Sequence, residues 1–459
     1  MRELTKWQAR TRSTQTSFSK ESRTSLFPKP HPNKIFYGWW IAVTALAVNA
    51  ILSGPTFGAT GLWIDSLERD FGWARGQLSW AFSLGQLEGS IAAPIVGYLI
   101  DRFGGKKTAI SGAFVGVIGY LLLSATNPFT PGDSRWNDPL IFYLAYLVIM
   151  LGSTLGAWIP MTVIINNWFD RNRSLAMSIG GVGFSVGTFA IVPLLALLML
   201  PEILGWRLTA VLISLIFLFV PILIWKTIRN TPEEIGEVPD GIKNKENIAA
   251  ESASIVTNNQ DFTITEAIRE KAFWYISIGH GASAMMTSTM MVHLILAFKN
   301  QGLTLEIAAL VWGISMGIGG LSQLFGGVIG DRVTKRYALF CFGCLQAIGV
   351  ALAVIVSSVW TALLFAIIYG AGFGARAPIT TAMRGEYFGR KSFGKIMGIS
   401  AIIMMIMTMI GPVFAGTLFD RHQDYTTAFV SMAILGAVGS VAFLFAKKPI
   451  HPSHKSASH

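Results

Sequence analysis

Apolar runs of about 20 residues recur along almost the whole chain, and they decide what it can fold into. Such a run matches the hydrocarbon thickness of a bilayer, where every backbone polar group must be paired within its own helix or in a closed barrel. A barrel would show alternating residues in runs of about ten instead. Twelve runs can be placed, at 36–60, 76–100, 107–126, 139–166, 173–200 and 207–226, then 273–298, 306–330, 337–358, 361–386, 393–418 and 425–446. The expected fold is therefore all-α and polytopic, with twelve transmembrane helices in two six-helix halves, 36–226 and 273–446. A linker at 227–272 joins the halves, with tails at 1–35 and 447–459 and a short amphipathic piece near 264–271.

Charge is scarce and unevenly placed. Of 36 basic and 25 acidic residues, 28 fall within 1–34, 226–271 and 447–459. Segments on the side of the N-terminus hold 29 Lys and Arg, and the opposite loops hold six, leaving Arg376 alone inside a helix. This bias predicts a plasma (inner) membrane protein with both termini and the linker in the cytoplasm. It also accounts for the net charge of +11 as topology and attraction to anionic lipid, with no nucleic acid as partner. Residues 1–34 lack the apolar core of a cleavable secretory signal, so the first helix is expected to act as its own insertion signal. The two cysteines, Cys341 and Cys344, share one helix face, which fits packing better than redox or metal chemistry. No metal-ligand spacing, nucleophile elbow or phosphate loop occurs in a supporting context, so neither catalysis, metal nor cofactor is expected.

Two loops repeat a pattern 230 residues apart. After the second run stand Gly97, Asp101, Arg102, Gly104, Lys106 and Lys107, and after the eighth Gly327, Asp331, Arg332, Lys335 and Arg336. Glycine permits close helix approach, while the acid and bases can pair at the mouth of a pathway and break when two halves rock apart. The first loop resembles the Gly-x-x-x-Asp-Arg-x-Gly-x-Lys/Arg-Lys/Arg motif of the major facilitator superfamily at every defined position; the second departs at Thr334. The segment Trp168-Phe169-Asp170-Arg171-Asn172-Arg173-Ser174-Leu175-Ala176 resembles the monocarboxylate transporter signature. The segment Tyr387-Phe388-Gly389-Arg390 and the start Tyr37-Gly38-Trp39-Trp40 resemble the bacterial oxalate/formate and monocarboxylate group. The resemblance implies a monomeric secondary transporter working by alternating access, with Arg171 and Arg390 among its gating residues. Carriers of that kind are expected to hold an acid–base pair in helix 8, where this chain has only Gln323, so lactate or pyruvate specificity does not follow.

Ionisable groups inside a membrane helix are costly and are functional candidates by default. Arg376 lies about 15 Å from the end of helix 10 at 1.5 Å per residue, near the midplane, where its planar donor fork suits a carboxylate. The neighbouring Gly370, Gly372, Gly374 and Pro378 would loosen the helix for a ligand. Glu88 is about 18 Å deep in helix 2 and is open to three roles, as proton carrier, partner of Arg376 or strut. A carboxyl in apolar surroundings favours its protonated form. His280 is a second coupling candidate, although for both it and His293 a satisfied packing histidine is the expected fate. Asn49, Thr56, Trp158 and Thr287 are further substrate-pocket candidates. The expected function is uptake of a small organic anion with a proton, or in exchange for another anion. The alternatives are an efflux carrier for amphipathic compounds, suggested by Gly411-Pro412, and a membrane sensor signalling through the linker.

Overall fold

The computed structural model describes residues 36–126, 140–169, 172–241, 262–389 and 393–450. Twelve long helices follow in order: α1 (Tyr37–Phe71), α2 (Arg75–Phe103), α3 (Gly105–Ser124), α4 (Leu140–Trp168), α5 (Arg173–Leu198) and α6 (Gly205–Thr227) form the first half. The second half comprises α7 (Lys271–Asn300), α8 (Leu305–Arg332), α9 (Lys335–Ile355), α10 (Val359–Phe388), α11 (Phe393–His422) and α12 (Thr426–Phe445). Eleven are long and apolar enough to cross a membrane, and α2 is the exception by hydropathy, because it carries Gln77, Gln86, Glu88 and several serines. A short helix, Ile264–Arg269, leads into α7 behind a capping box formed by Thr263 and Glu266.

The halves repeat one packing scheme. In the first, α1 packs on α5, α3 on α4 and on α6, and in the second, α7 packs on α11 and α9 on α10 and on α12. Across the molecule α2 lies against α11, α5 against α8, and the end of α1 against α7. That last contact corrects an expectation: α1 does not stop at residue 60 but continues as an amphipathic extension to Phe71. It ends where Gly72, at φ +69, turns its N–H back to the Glu68 carbonyl at 2.8 Å. Asp65 and Glu68 therefore sit on a helix rather than in a loop.

Three spans are broken. In α1 a π-helical turn over Gly54–Gly58 follows from Pro55. Helix α4 breaks at Ala157 and α10 at Ala375, three residues before Pro160 and Pro378. Each proline lacks the N–H that would bond to the carbonyl four residues back and crowds that carbonyl. The sequence reads Gly156-Ala157-Trp158-Ile159-Pro160 in one half and Gly374-Ala375-Arg376-Ala377-Pro378 in the other. Trp158 and Arg376 thus hold equivalent positions at the start of the two lower half-helices.

Glycine lets backbones touch where helices cross. A Cβ on Gly112 would fall onto the Gly156 backbone, so α3 and α4 meet without side chains between them. Gly112→Ala should destabilise the protein by about 1–3 kcal/mol through overpacking. A thermal unfolding midpoint unchanged from wild type in detergent would contradict this crossing.

Candidate functional site

Arg376 opens the second half of α10 and is 5% exposed. Its Nε donates to the Gly372 carbonyl at 3.2 Å. Its two Nη groups make no hydrogen bond among the described residues, yet they are not sealed from solvent. The guanidinium therefore has donor capacity left over. Around it stands a polar cluster from α7 and α9: Gln346 donates to Thr287 Oγ1 at 3.0 Å and accepts from Ser283 at 2.6 Å. The buried Tyr369 hydroxyl lies beside Gln346 and Thr287 without a well-aligned bond. The α10 glycines do not open the helix to a ligand as the sequence suggests. Gly370 and Gly374 are filled by the α8 backbone and Gly372 by the backbone at Gln346 of α9.

A second arginine escaped the sequence reading, which counted it with the loop. Arg384 is inside α10 and buried. Both its Nη groups donate to His280 Nδ1 at 3.3 Å, and Nη2 donates to Ser400 at 2.6 Å. His280 is thus a hydrogen-bond acceptor for a permanent cation, which leaves its proton on Nε2. The signal was available in the sequence, since Arg384 lies within the apolar run 361–386.

Between the halves a cavity of about 730 Å³ is lined by α1, α2 and α4 of the first and α11 of the second. Trp158 and Thr154 from the α4 break, Gln86 and Ser90 from α2 and Met404 and Met405 from α11 form part of its wall. Trp158 is 53% exposed, and its ring and the Gln323 amide both approach Gly181 of α5. Asn49 and Thr56 do not reach this space. Asn49 ties α1 to the Gly180 carbonyl of α5 at 2.9 Å. Thr56 is fully buried, donating to Leu52 O at 2.8 Å and meeting Tyr120 and Ser153 at 3.2 and 3.1 Å. Both are sealed by packing in this conformation. Both carboxylate oxygens of Glu88 are buried without a hydrogen-bond partner among the described residues, so it is not paired with Arg376 here.

The repeated loops mark one end of the bundle. There Lys106 donates to the Trp225 carbonyl at 2.8 Å and Lys335 pairs with Glu386 at 2.8 Å, each within its own half. Asp101, Arg102, Lys107 and Arg332 are exposed, and Asp101 has no partner among the described residues. Arg102 bonds only the Tyr98 hydroxyl, at 3.1 Å. Gly104, at φ +86, forms the α2–α3 joint against Asn230, while Arg336 meets Tyr337. Gly97 of α2 and Gly398 of α11 face open space. Arg171, Arg390 and the side chain of Asp331 lie outside the described residues.

The opposite end, hereafter the far end, is latched across the halves. Asp420 of α11 accepts from the Arg75 and Gly76 backbone N–H groups at 3.1 and 2.9 Å, capping the N-terminus of α2. The Arg75 side chain donates to Glu68 at 2.7 Å, to Tyr425 at 3.1 Å and to Asn300 at 3.3 Å, with its guanidinium 3.9 Å over the Phe419 ring. Lys299 of α7 pairs with Asp65 of α1 at 2.6 Å. Deeper in, Ser83 donates to Met409 O at 2.7 Å and Trp312 to Gly58 O at 3.1 Å. None of these residues stands in a motif that marks the far end in advance.

Two pseudo-equivalent helical halves, closed at one end and carrying broken helices at mid-span, fit a membrane transporter. The family profile of the Major Facilitator Superfamily matches residues 45–340 and 276–459, and the chain belongs to that family. It is similar to human monocarboxylate transporter 10, with 24% identity over 421 residues covering 89% of this chain and 78% of that protein. Hamster (Mesocricetus auratus) monocarboxylate transporter 2 is 20% identical over 434 residues, 91% of this chain and 86% of that protein. Among solved structures, a bacterial homolog of the human lysosomal transporter Spinster, in an inward-facing and occupied conformation, superposes with a TM-score of 0.68. That match covers 92% of this chain and 100% of the other at 12% identity, and shows the fold alone.

Proposed function

We propose that this transporter takes up a small organic anion, a monocarboxylate or related acid, together with a proton, across the plasma membrane as a monomer. The observation that carries the reading is Arg376: a permanent cation at the break of α10 whose Nη donors have no partner among the described residues. A fixed guanidinium at mid-span offsets part of the dehydration cost of a carboxylate. Gln346 and Tyr369 supply neutral donors beside it, with the Thr287 hydroxyl bonded to Gln346. The similarity to monocarboxylate transporters supports the same substrate class. The surplus of Lys and Arg at the motif end supports a cytoplasmic position for that end, and with it an inward-open state in this structure. The Trp158, Met404 and Met405 wall favours a second reading, export of amphipathic compounds. Proteoliposomes separate the two. Concentrative uptake of a labelled monocarboxylate driven by an inward proton gradient is the expected result, and flux of uncharged amphiphiles alone would sink the proposal.

Glu88 is the proposed proton site, because an unpartnered carboxyl inside the membrane is the group most easily held neutral or charged by its surroundings. Glu88→Gln should keep the thermal stability of the wild type, since no bond is lost. Uphill, pH-driven accumulation should fall to equilibration. A variant that still concentrates substrate against its gradient would exclude the role.

A further inference from the structure

We propose that His293 makes the far-end latch sensitive to pH, the closed latch admitting only the neutral imidazole. His293 of α7 is fully buried where the halves meet. Its Nε2 lies 2.8 Å from the Pro412 carbonyl of α11 and 3.2 Å from the Ser79 hydroxyl of α2. A carbonyl can only accept, so Nε2 carries the proton. The Ser79 hydroxyl already donates to the Arg75 carbonyl at 2.6 Å and therefore also accepts from Nε2. Nδ1 lies 3.0 Å from the Tyr425 hydroxyl of α12. That oxygen receives an N–H from Arg75, and its own proton points to Nδ1. The chain runs in one direction, from the Arg75 guanidinium through the Tyr425 hydroxyl and His293 to Pro412.

A second proton on His293 would have to sit on Nδ1. It would turn the Tyr425 hydroxyl away from its only acceptor and leave a buried O–H unpaired. It would also place a cation one hydroxyl away from Arg75. The charged and titratable groups on the elements packed here are Arg75 on α2, Asp65 and Glu68 on α1, Lys299 on α7, Asp420 on α11 and Tyr425 beside α12, with Arg421, His422 and Asp424 exposed to solvent at the same end. Glu68 is already committed to Arg75, and Asp65 to Lys299, so neither compensates a new charge on His293. When the halves part at the far end, the ring meets water and takes up its proton at about pH 6.5. Acid therefore binds the open form better than the closed one and draws the protein toward it. Closure is favoured above that pH and is lost as pH falls through it. This device does not depend on which substrate is carried or on which group couples to it.

The test is a spin-label distance measurement across the far end in nanodiscs, with labels at the exposed positions Glu202 and Asp424 in a Cys341→Ser, Cys344→Ser background. The ratio of the long-distance to the short-distance population should rise about tenfold between pH 7.5 and pH 5.5, the change that one imidazole proton gives. His293→Gln keeps a donor toward Pro412 and should make the ratio independent of pH. His293→Asn, which keeps an acceptor for Tyr425, serves as the second non-titrating variant should the first not fold. His422→Gln should leave the response intact. A wild-type ratio constant over this range overturns the proposal, and so does a response that survives in both His293 variants.

Discussion

Arg376→Gln should lower the initial rate of anion uptake in proteoliposomes by about 100-fold or more, while the protein inserts and unfolds at the wild-type temperature. Without substrate the side chain contributes little to the fold. Its one hydrogen bond, from Nε to the Gly372 carbonyl, is of the kind a glutamine amide can replace. No carboxylate is left unpaired by removing the charge, so the usual heavy cost of breaking a buried ion pair does not arise. What is lost is the fork of Nη donors, and with it charge-assisted bonds worth about 1.5–3 kcal/mol each. At 1.4 kcal/mol per tenfold, two such bonds account for the expected loss. Arg376→Lys keeps the charge but not the planar pair, and should recover only part of the rate. Wild-type uptake in Arg376→Gln would remove the residue from the binding site. A loss of thermal stability comparable to that of a core mutation would make it structural.

The twelve spans and their division into halves were legible because lipid imposes one rule on every helix, and the rule shows as run length. Helix α2 demonstrates the limit of that rule. Its polar face, with Gln86 and Ser90 on the cavity wall, lowers its hydropathy below that of the other eleven. Yet position between Gly72 and the Asp101-Arg102 motif still places it. At the motif end the repeated residues are close in sequence and their place in the chain is legible, but their partners are not: Lys335 pairs with Glu386, 51 residues away. Depth estimates served Arg376, since rise per residue is a property of one helix alone.

What sequence could not supply is which polar residues face each other. Asn49, Thr56 and Trp158 looked alike as mid-span pocket candidates. Only tertiary packing shows that Thr56 is enclosed by Tyr120 and Ser153 while Trp158 stands at a cavity. Trp158 and Arg376 could have been linked without a structure, through the repeated Gly-Ala-x-x-Pro. The pattern is faint because two of its five positions vary, and its meaning depends on the missing N–H of proline rather than on any side chain. Arg384 lies within three residues of the end of an apolar run and so reads as a loop charge, and its burial by α7 and α11 is not written in its own helix. The latch is still less accessible to such reading: Arg75 and Asp420 are 345 residues apart, and each alone resembles an ordinary surface charge.

Asp420→Ala should shift the protein toward the state open at the far end by about 10- to 100-fold in the open-to-closed ratio. Asp420 accepts two backbone N–H groups in the first turn of α2, at 3.1 and 2.9 Å, where the orphan donors and the dipole of a helix both favour an anion. Each charge-assisted bond contributes about 1.5–3 kcal/mol in a partly buried site, less where water screens it. These bonds exist only while α2 and α11 are together, so their loss is borne by one conformation rather than by the fold. That separates Asp420 from Asp65, whose pairing with Lys299 joins α1 to α7 in the same state through a partly exposed lysine and should be worth less. Asp420→Asn retains an acceptor oxygen and should fall between wild type and alanine. The far-end spin-label pair reads the shift directly, and its partner measurement is uptake. Unchanged distance populations in Asp420→Ala would show that the aromatic packing of Phe419 and Tyr425 around Arg75, and not the carboxylate cap, holds the far end shut.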